Sequence, residues 1–263
     1  MKKMTAPLPL PSARRRAPAT PLAATAPSGL RGLLLDLDGT LIRGGAPIDG
    51  AIDFVARHQS QLAIVSNNSS DTPKTLAAQL RRMGFSINPE QIFLAGAVAV
   101  EQIAALHPEA RSMLLGSPAL RAFATQEGLI LEDQSPDLVL LARDESFDYG
   151  KLARSANAIR RGATFYVTNA DVSHPGAEGS VVPEAGALML AVMGVVGRSP
   201  DRVFGKPHGL LLARAMAFLG LRDHEAVMIG DNPATDGVGA SEAGVGYVEV
   251  GDRAGRTVAD LEF

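Results

Sequence analysis

From Arg31 onward, short apolar runs alternate with stretches whose apolar residues recur at helical spacing, the grammar of an α/β fold with a parallel sheet. Leu33-Leu34-Leu35 and Leu62-Ala63-Ile64-Val65 contain no polar residue, as strands buried on both faces require. Between them, Ala51, Phe54 and Val55 mark one face of a helix. Asp71, with Pro73 close behind, predicts a helix N-cap; Leu76, Leu80 and Met83 then follow at i, i+4 and i+7, and Gly84 closes the helix. Arg202-Val203-Phe204, Ala226-Val227-Met228-Ile229 and Gly246-Tyr247-Val248-Glu249-Val250 predict three further strands of the same set.

The middle of the chain repeats this pattern on a smaller scale. Ser112-Met113-Leu114-Leu115, Leu138-Val139-Leu140-Leu141 and Thr164-Phe165-Tyr166-Val167 predict strands, and 118–127, 149–161 and 185–195 predict helices. Such a block can hold its own sheet. The expected organisation is therefore a core formed by 29–106 and 201–263, with a second α/β unit, 107–200, inserted into it. The aliphatic stretch 187–196 is expected to be packed into a core.

Composition narrows the picture. The 263 residues are 46% hydrophobic and 20% charged, ordinary for a soluble globular chain with a sizeable core. With no cysteine, disulfides, thiolate metal sites and cysteine nucleophiles are excluded. The net charge of −3 is unevenly spread: Lys2, Lys3, Arg14, Arg15 and Arg16 lie in 1–28, which has no acid. The rest of the chain is acidic and offers no basic stripe for nucleic acid. The head, 1–28, is rich in Ala and Pro and reads as a disordered tail; its arginines precede no apolar segment of export-signal type. No run of 18 apolar residues occurs, so no membrane span is expected and the expected setting is the cytoplasm.

In doubly wound sheets, ligands bind beyond the carboxyl ends of the strands. The predicted strands of the outer block run into Asp36-Leu37-Asp38-Gly39-Thr40, Ser66-Asn67-Asn68-Ser69, Gly205-Lys206-Pro207, and Gly230-Asp231-Asn232 with Thr235-Asp236 behind it. One rim thus collects carboxylates, an ammonium, hydroxyls and amides. Crowded carboxylates repel, and a divalent cation with oxygen ligands relieves the conflict; magnesium commonly takes one or two carboxylates plus a phosphate oxygen. Lys206, Ser66 and backbone N–H groups suit the remaining phosphate oxygens. On this reading Asp36 is the nucleophile and forms an aspartyl-phosphate; Asp38 is the general acid and then the general base. The metal is expected on Asp36, the Asp38 carbonyl and Asp231, with Asp236 orienting the metal's surroundings.

These four segments, in this order and spacing, resemble the motifs of the haloacid dehalogenase (HAD) superfamily. Ser66-Asn67-Asn68-Ser69, Gly205-Lys206-Pro207, Gly-Asp-Asn-x-x-Thr-Asp at 230–236 and Pro183-Glu184-Ala185-Gly186-Ala187-Leu188 resemble its NagD/4-nitrophenylphosphatase-like branch. The likeness runs from about Gly32 to Gly251. It implies an α/β fold with a Rossmann-like parallel-sheet core and an inserted α/β cap. It further implies magnesium dependence, phosphate binding by Ser66, Asn67 and Lys206, and often dimerisation through the cap. The expected activity is hydrolysis of a small phosphorylated metabolite. A phosphotransferase using the same residues, or a non-catalytic phospholigand-binding protein, is the alternative. A dehalogenase needs neither Asp38 nor the magnesium shell.

Two cap residues are candidates for substrate selection. Arg143 follows the strand 138–141 and offers a guanidinium to a second anionic group on the substrate, or pairs at the surface with Asp144 or Glu145. His174, in Asp171-Val172-Ser173-His174-Pro175, either touches substrate or is a plain loop histidine.

Overall fold

A computed structural model describes residues 29–175 and 180–263; the head, expected to be a tail, lies outside the described residues. The chain enters β1 (Gly32–Leu35), makes a hairpin of β2 (Ile42–Arg43) and β3 (Ala46–Pro47), and continues through α1 (Ala51–His58), β4 (Leu62–Ser66) and α2 (Pro73–Arg82). Next come β5 (Ile92–Leu94), α3 (Ala95–Leu106), β6 (Arg111–Leu115), α4 (Pro118–Gln126), β7 (Ile130–Leu131) and β8 (Leu138–Leu141). Then follow α5 (Tyr149–Arg160), β9 (Thr164–Val167), a second hairpin of β10 (Ser173–Pro175) and β11 (Val181–Pro183), α6 (Ala185–Val196) and β12 (Arg202–Val203). The last elements are α7 (Leu210–Leu219), β13 (Ala226–Gly230), α8 (Val238–Ala243) and β14 (Gly246–Glu249).

The strands form two five-stranded sheets, both parallel throughout: β14-β13-β1-β4-β5 in the core and β12-β9-β8-β6-β7 in the cap. All four residues of β1 are buried, because this central strand is covered by helices on both sides. Leu33 and Leu35 pack into one layer with Phe54, Leu76 and Leu80, while Leu34 packs into the other with Leu211, Ala215 and Tyr247. The cap sheet is sandwiched in the same way, with Val139 and Phe165 on one face and Leu138 and Leu140 on the other.

Four local readings change. The short β12, expected in the core sheet, pairs instead with β9 at the edge of the cap sheet. It is held there by Asp201, whose carboxylate accepts from the Phe165 N–H at 2.7 Å. The cap sheet therefore extends to Val203, three residues before Lys206. Second, the N-cap of α2 is Thr72, not Asp71: the Thr72 hydroxyl accepts from Thr75 N, and Thr75 caps in return. Asp71 sits just outside and accepts from Thr75 Oγ1, Gln79 Nε2 and Asn68 Nδ2. Third, α3 carries no polar residue before Glu101, so its pattern gave no helical period. It is buried because it spans both units, with Ala95 and Val98 against the core sheet and Val100 and Ile103 against the cap. Fourth, α6 is not wholly core. Met189, Val192 and Met193 are buried, but Leu190, Ala191, Gly194 and Val195 face outward and are exposed. No helix among the described residues is long and apolar enough to cross a membrane.

Candidate active site

Parallel pairing brings the predicted site to one rim. Leu35 is level with Ile229 on β13, and Ile64 on β4 pairs with Leu35 on the other side. The residues that follow these strand ends, Asp36, Asp231 and the terminal Ser66, therefore emerge side by side. Asp36 is anchored by donating its backbone N–H to the Ile229 carbonyl at 2.9 Å.

At the centre is Lys206, 2% exposed. Its ammonium donates to Asp36 Oδ1 at 2.6 Å and to Asp236 Oδ1 at 2.7 Å. Burial alone disfavours the charge, but the Asp236 and Asp36 carboxylates outweigh it and hold the lysine above its ordinary range. Asp236, fully buried, is pushed upward by burial first and then by Asp36. Its second oxygen accepts from Asn232 N at 3.1 Å, so both oxygens are committed within the protein.

Asp231 is half-buried, and burial followed by the Asp36 charge pushes it up to about 6. Asp38 is pushed up to about 6 by the protein packed around it and by Asp36, with Glu184 adding to the rise and His174 and Lys206 opposing it. Asp38 is exposed at the mouth, and solvent there moderates these effects. Two glycines make the crowding physically feasible. A Cβ on Gly39, whose φ is +79°, would stand 2.1 Å from Asp231 Oδ2, and one on Gly230 would stand 2.2 Å from Asp236 Oδ2.

Carboxylate oxygens of Asp36, Asp231 and Asp236 come within 4.8 Å of one another. Hard, anionic oxygen donors that raise one another's proton affinity fit a divalent cation such as magnesium. Because both oxygens of Asp236 are already used, Asp36 and Asp231 are the side chains left to hold it. Ser66, 2% exposed, accepts from Asn68 N at 3.1 Å, a bond that does not use its own hydroxyl proton.

Other expected residues are placed differently. The Asn67 side chain is engaged within the protein. Its Oδ1 accepts from Lys206 N at 2.7 Å, while its Nδ2 donates to Lys206 O at 3.0 Å and to Asp171 Oδ2 at 2.9 Å. The Arg143 guanidinium is already paired, with Glu145 at 2.9 Å and Glu184 at 3.3 Å. The Glu145 pair was among the sequence alternatives; Glu184, 41 residues away, was not. Glu184 also meets His174 Nδ1 at 2.8 Å, so the two candidates for selectivity share one carboxylate within electrostatic reach of Asp38. Sequence reading missed Glu184, Asp171 and Asn169. Applying the strand-end rule to the cap would have found the last two, because Thr168-Asn169-Ala170-Asp171 follows β9 directly.

Comparison with known proteins agrees with this geometry. A haloacid dehalogenase-like hydrolase family profile matches residues 33–130, and a HAD-hydrolase-like profile matches 203–259. An acid sugar phosphatase of Staphylococcus epidermidis is 33% identical over 82% of this chain and 85% of its own length. Among solved structures, the 4-nitrophenylphosphatase of Thermotoga maritima superposes with a TM-score of 0.79 at 27% identity, covering 83% of this chain and 85% of that one. A glycerol phosphate phosphatase of Mycobacterium tuberculosis, in complex with calcium, does so with a TM-score of 0.76 at 32% identity, covering 82% and 65%. The chain belongs to the haloacid dehalogenase-like hydrolases. Within them it is a phosphoric monoester hydrolase of the NagD-like type.

Lys206→Met should leave Asp36 and Asp236 facing one another without their shared cation. Removing one partner from such a buried set costs about 3–5 kcal/mol. The expected result is a clear fall in the urea midpoint, partly recovered when Asp236→Asn is added. An unchanged midpoint would contradict the assigned role of the ammonium.

Proposed function

We propose that the protein is a magnesium-dependent phosphatase acting on small phosphomonoesters through an aspartyl-phosphate on Asp36. The observation that carries this is the buried Lys206 ammonium bridging Asp36 and Asp236 beside Asp231. A carboxylate nucleophile, a fixed cation and a divalent-metal donor set at one strand rim suit phosphoryl transfer. Magnesium would be held by Asp36, Asp231 and the backbone carbonyl of Asp38. When bound, it supplies positive charge that lets an anionic nucleophile approach a phosphate dianion.

The chain's own residues then divide the work. Lys206 holds Asp36 Oδ1 in place, and its charge stabilises the equatorial phosphoryl oxygens. The Ser66 hydroxyl donates to one of those oxygens, and backbone N–H groups of the Ser66–Asn67 loop to another. Asp36 attacks phosphorus as the bond to the leaving oxygen breaks, and Asp38 gives that oxygen its proton. Its raised pKa favours the protonated form that this step needs. Asp38, now ionised, takes a proton from the water that attacks the phosphorus and frees Asp36.

The leaving group proposed is a neutral polyol or sugar. Arg143 is already paired with Glu145 and Glu184, so among the described residues the mouth offers no unpaired arginine to a second anionic group on the substrate. The sugar phosphatase and glycerol phosphate phosphatase relatives point the same way. Assembly is proposed through the cap: Leu190, Ala191, Gly194 and Val195 of α6 give an outward apolar face, suited to a second copy.

Chelation with EDTA should abolish phosphate release from 4-nitrophenyl phosphate, and added magnesium should restore it; Asp36→Asn should remain folded and release none. Activity in that variant would refute the nucleophile. Asp38→Asn should still expel 4-nitrophenolate, a good leaving group, but stall at the second step. Rapid mixing should then show a burst of about one equivalent per active site, and its absence would argue against Asp38 as the later base. In sedimentation velocity, Leu190→Glu should convert a dimer to a monomer; identical profiles for wild type and variant would remove the cap interface.

A further inference from the structure

Beyond the residues that meet phosphate and metal, one acid from the cap reaches the core through a single amide. Asp171 lies just past β9, with its backbone tightly held. Its N–H donates to Asn169 Oδ1 at 3.1 Å, and its carbonyl accepts from Gly186 N at 2.8 Å. The first turn of α6 passes so close that a Cβ on Gly186 would stand 2.5 Å from that carbonyl oxygen. Asp171 is thus fixed to two cap elements, β9 and α6.

Its carboxylate accepts from Asn67 Nδ2 at 2.9 Å. The orientation of the Asn67 amide is forced: the NH₂ faces two acceptors, Asp171 Oδ2 and Lys206 O, and the oxygen faces the Lys206 N–H. Turning the amide over would set oxygen against oxygen twice. Asn67 therefore grips the main chain of Lys206 by both its N–H and its C=O. The backbone has been cut back to admit this grip, since a Cβ on Gly205 would stand 2.4 Å from Asn67 Oδ1. Asn169, 0% exposed, braces the same loop by donating to Asn67 O at 2.8 Å.

We propose that Asp171 is a positioning residue: through Asn67 it fixes the Lys206 backbone, so that seating of the cap sets where the catalytic ammonium stands. The inference rests on the phosphatase reading above. It assigns Asp171 neither proton transfer nor metal binding. Losing this anchor, and with it the fixed place of the Lys206 ammonium, should lower the rate by about ten- to a hundredfold.

The test compares wild type, Asp171→Ala and Asp171→Asn in the full chain, with 4-nitrophenyl phosphate and magnesium. For Asp171→Ala, kcat and kcat/KM should fall together by about tenfold or more, with KM within about threefold. Asp171→Asn keeps an oxygen that can accept from Asn67, and should retain kcat within about threefold. If Asp171→Ala does not fold, Asp171→Ser carries the test, because it removes the carboxylate that Asn67 Nδ2 meets while keeping a small polar side chain; the same loss of kcat is expected. An unchanged kcat in the folded alanine variant overturns the proposal, as does a rise in KM alone, which would mark a cap-closing contact. Equal losses in Asp171→Ala and Asp171→Asn also overturn it, since charge or proton transfer would then be at work. A wild type that releases no phosphate with magnesium sinks the phosphatase reading instead, before any variant is compared.

Discussion

A lysine ammonium with 2% exposure is stable only if its lost hydration is replaced, and here two carboxylates replace it, Asp36 at 2.6 Å and Asp236 at 2.7 Å. Much of the local architecture follows from that trio. Asp36 must leave β1 at the same level as β13, which the parallel register between Leu35 and Ile229 ensures. Asp236 must come back under the sheet rim, which the π-helical turn Pro233–Gly237 accomplishes, with Asn232 N donating to its free oxygen. Gly230 must lack a side chain because the Asp236 carboxylate occupies that space. Negative charge still exceeds positive at this rim, and burial first, then the Asp36 charge, pushes Asp231 and Asp38 upward. The excess suits the arrival of a divalent cation.

The two sheets are joined more intimately than an insertion implies. α3 contributes apolar residues to both units, and Phe204 packs with the cap layer two residues before Lys206. The Ser66–Asp71 loop, which leads from the serine proposed to bind phosphate, is also where cap and core touch: Ser69 Oγ accepts from Arg143 N at 3.0 Å, and Asn67 meets Asp171. On the proposed reading, phosphate binding and cap seating draw on neighbouring residues of one short segment. Arg143, His174 and Glu184, at the mouth with Asp38, come from the cap, and Glu184 pairs with both of the others.

What could be read from the chain alone was whatever depends on neighbours in sequence. An all-apolar run such as Leu33-Leu34-Leu35 signals a doubly covered strand. The residue just after a parallel strand lies at the ligand rim whatever the rest of the fold does, so Asp36, Ser66 and Asp231 were legible. The helical spacing of Leu76 and Leu80 was equally local. Contacts between distant segments were not legible, because hydrogen bonding and ion pairing depend on where two stretches meet in space. Nothing near Arg143 announces Glu184, and nothing beside Asn67 reveals that its amide is spent on Lys206, 139 residues away. Tertiary packing likewise sent β12 to the cap sheet and left one face of the wholly apolar α6 uncovered. Hydrophobic pattern specifies that a segment prefers burial, and only the assembled layers decide which surface buries it.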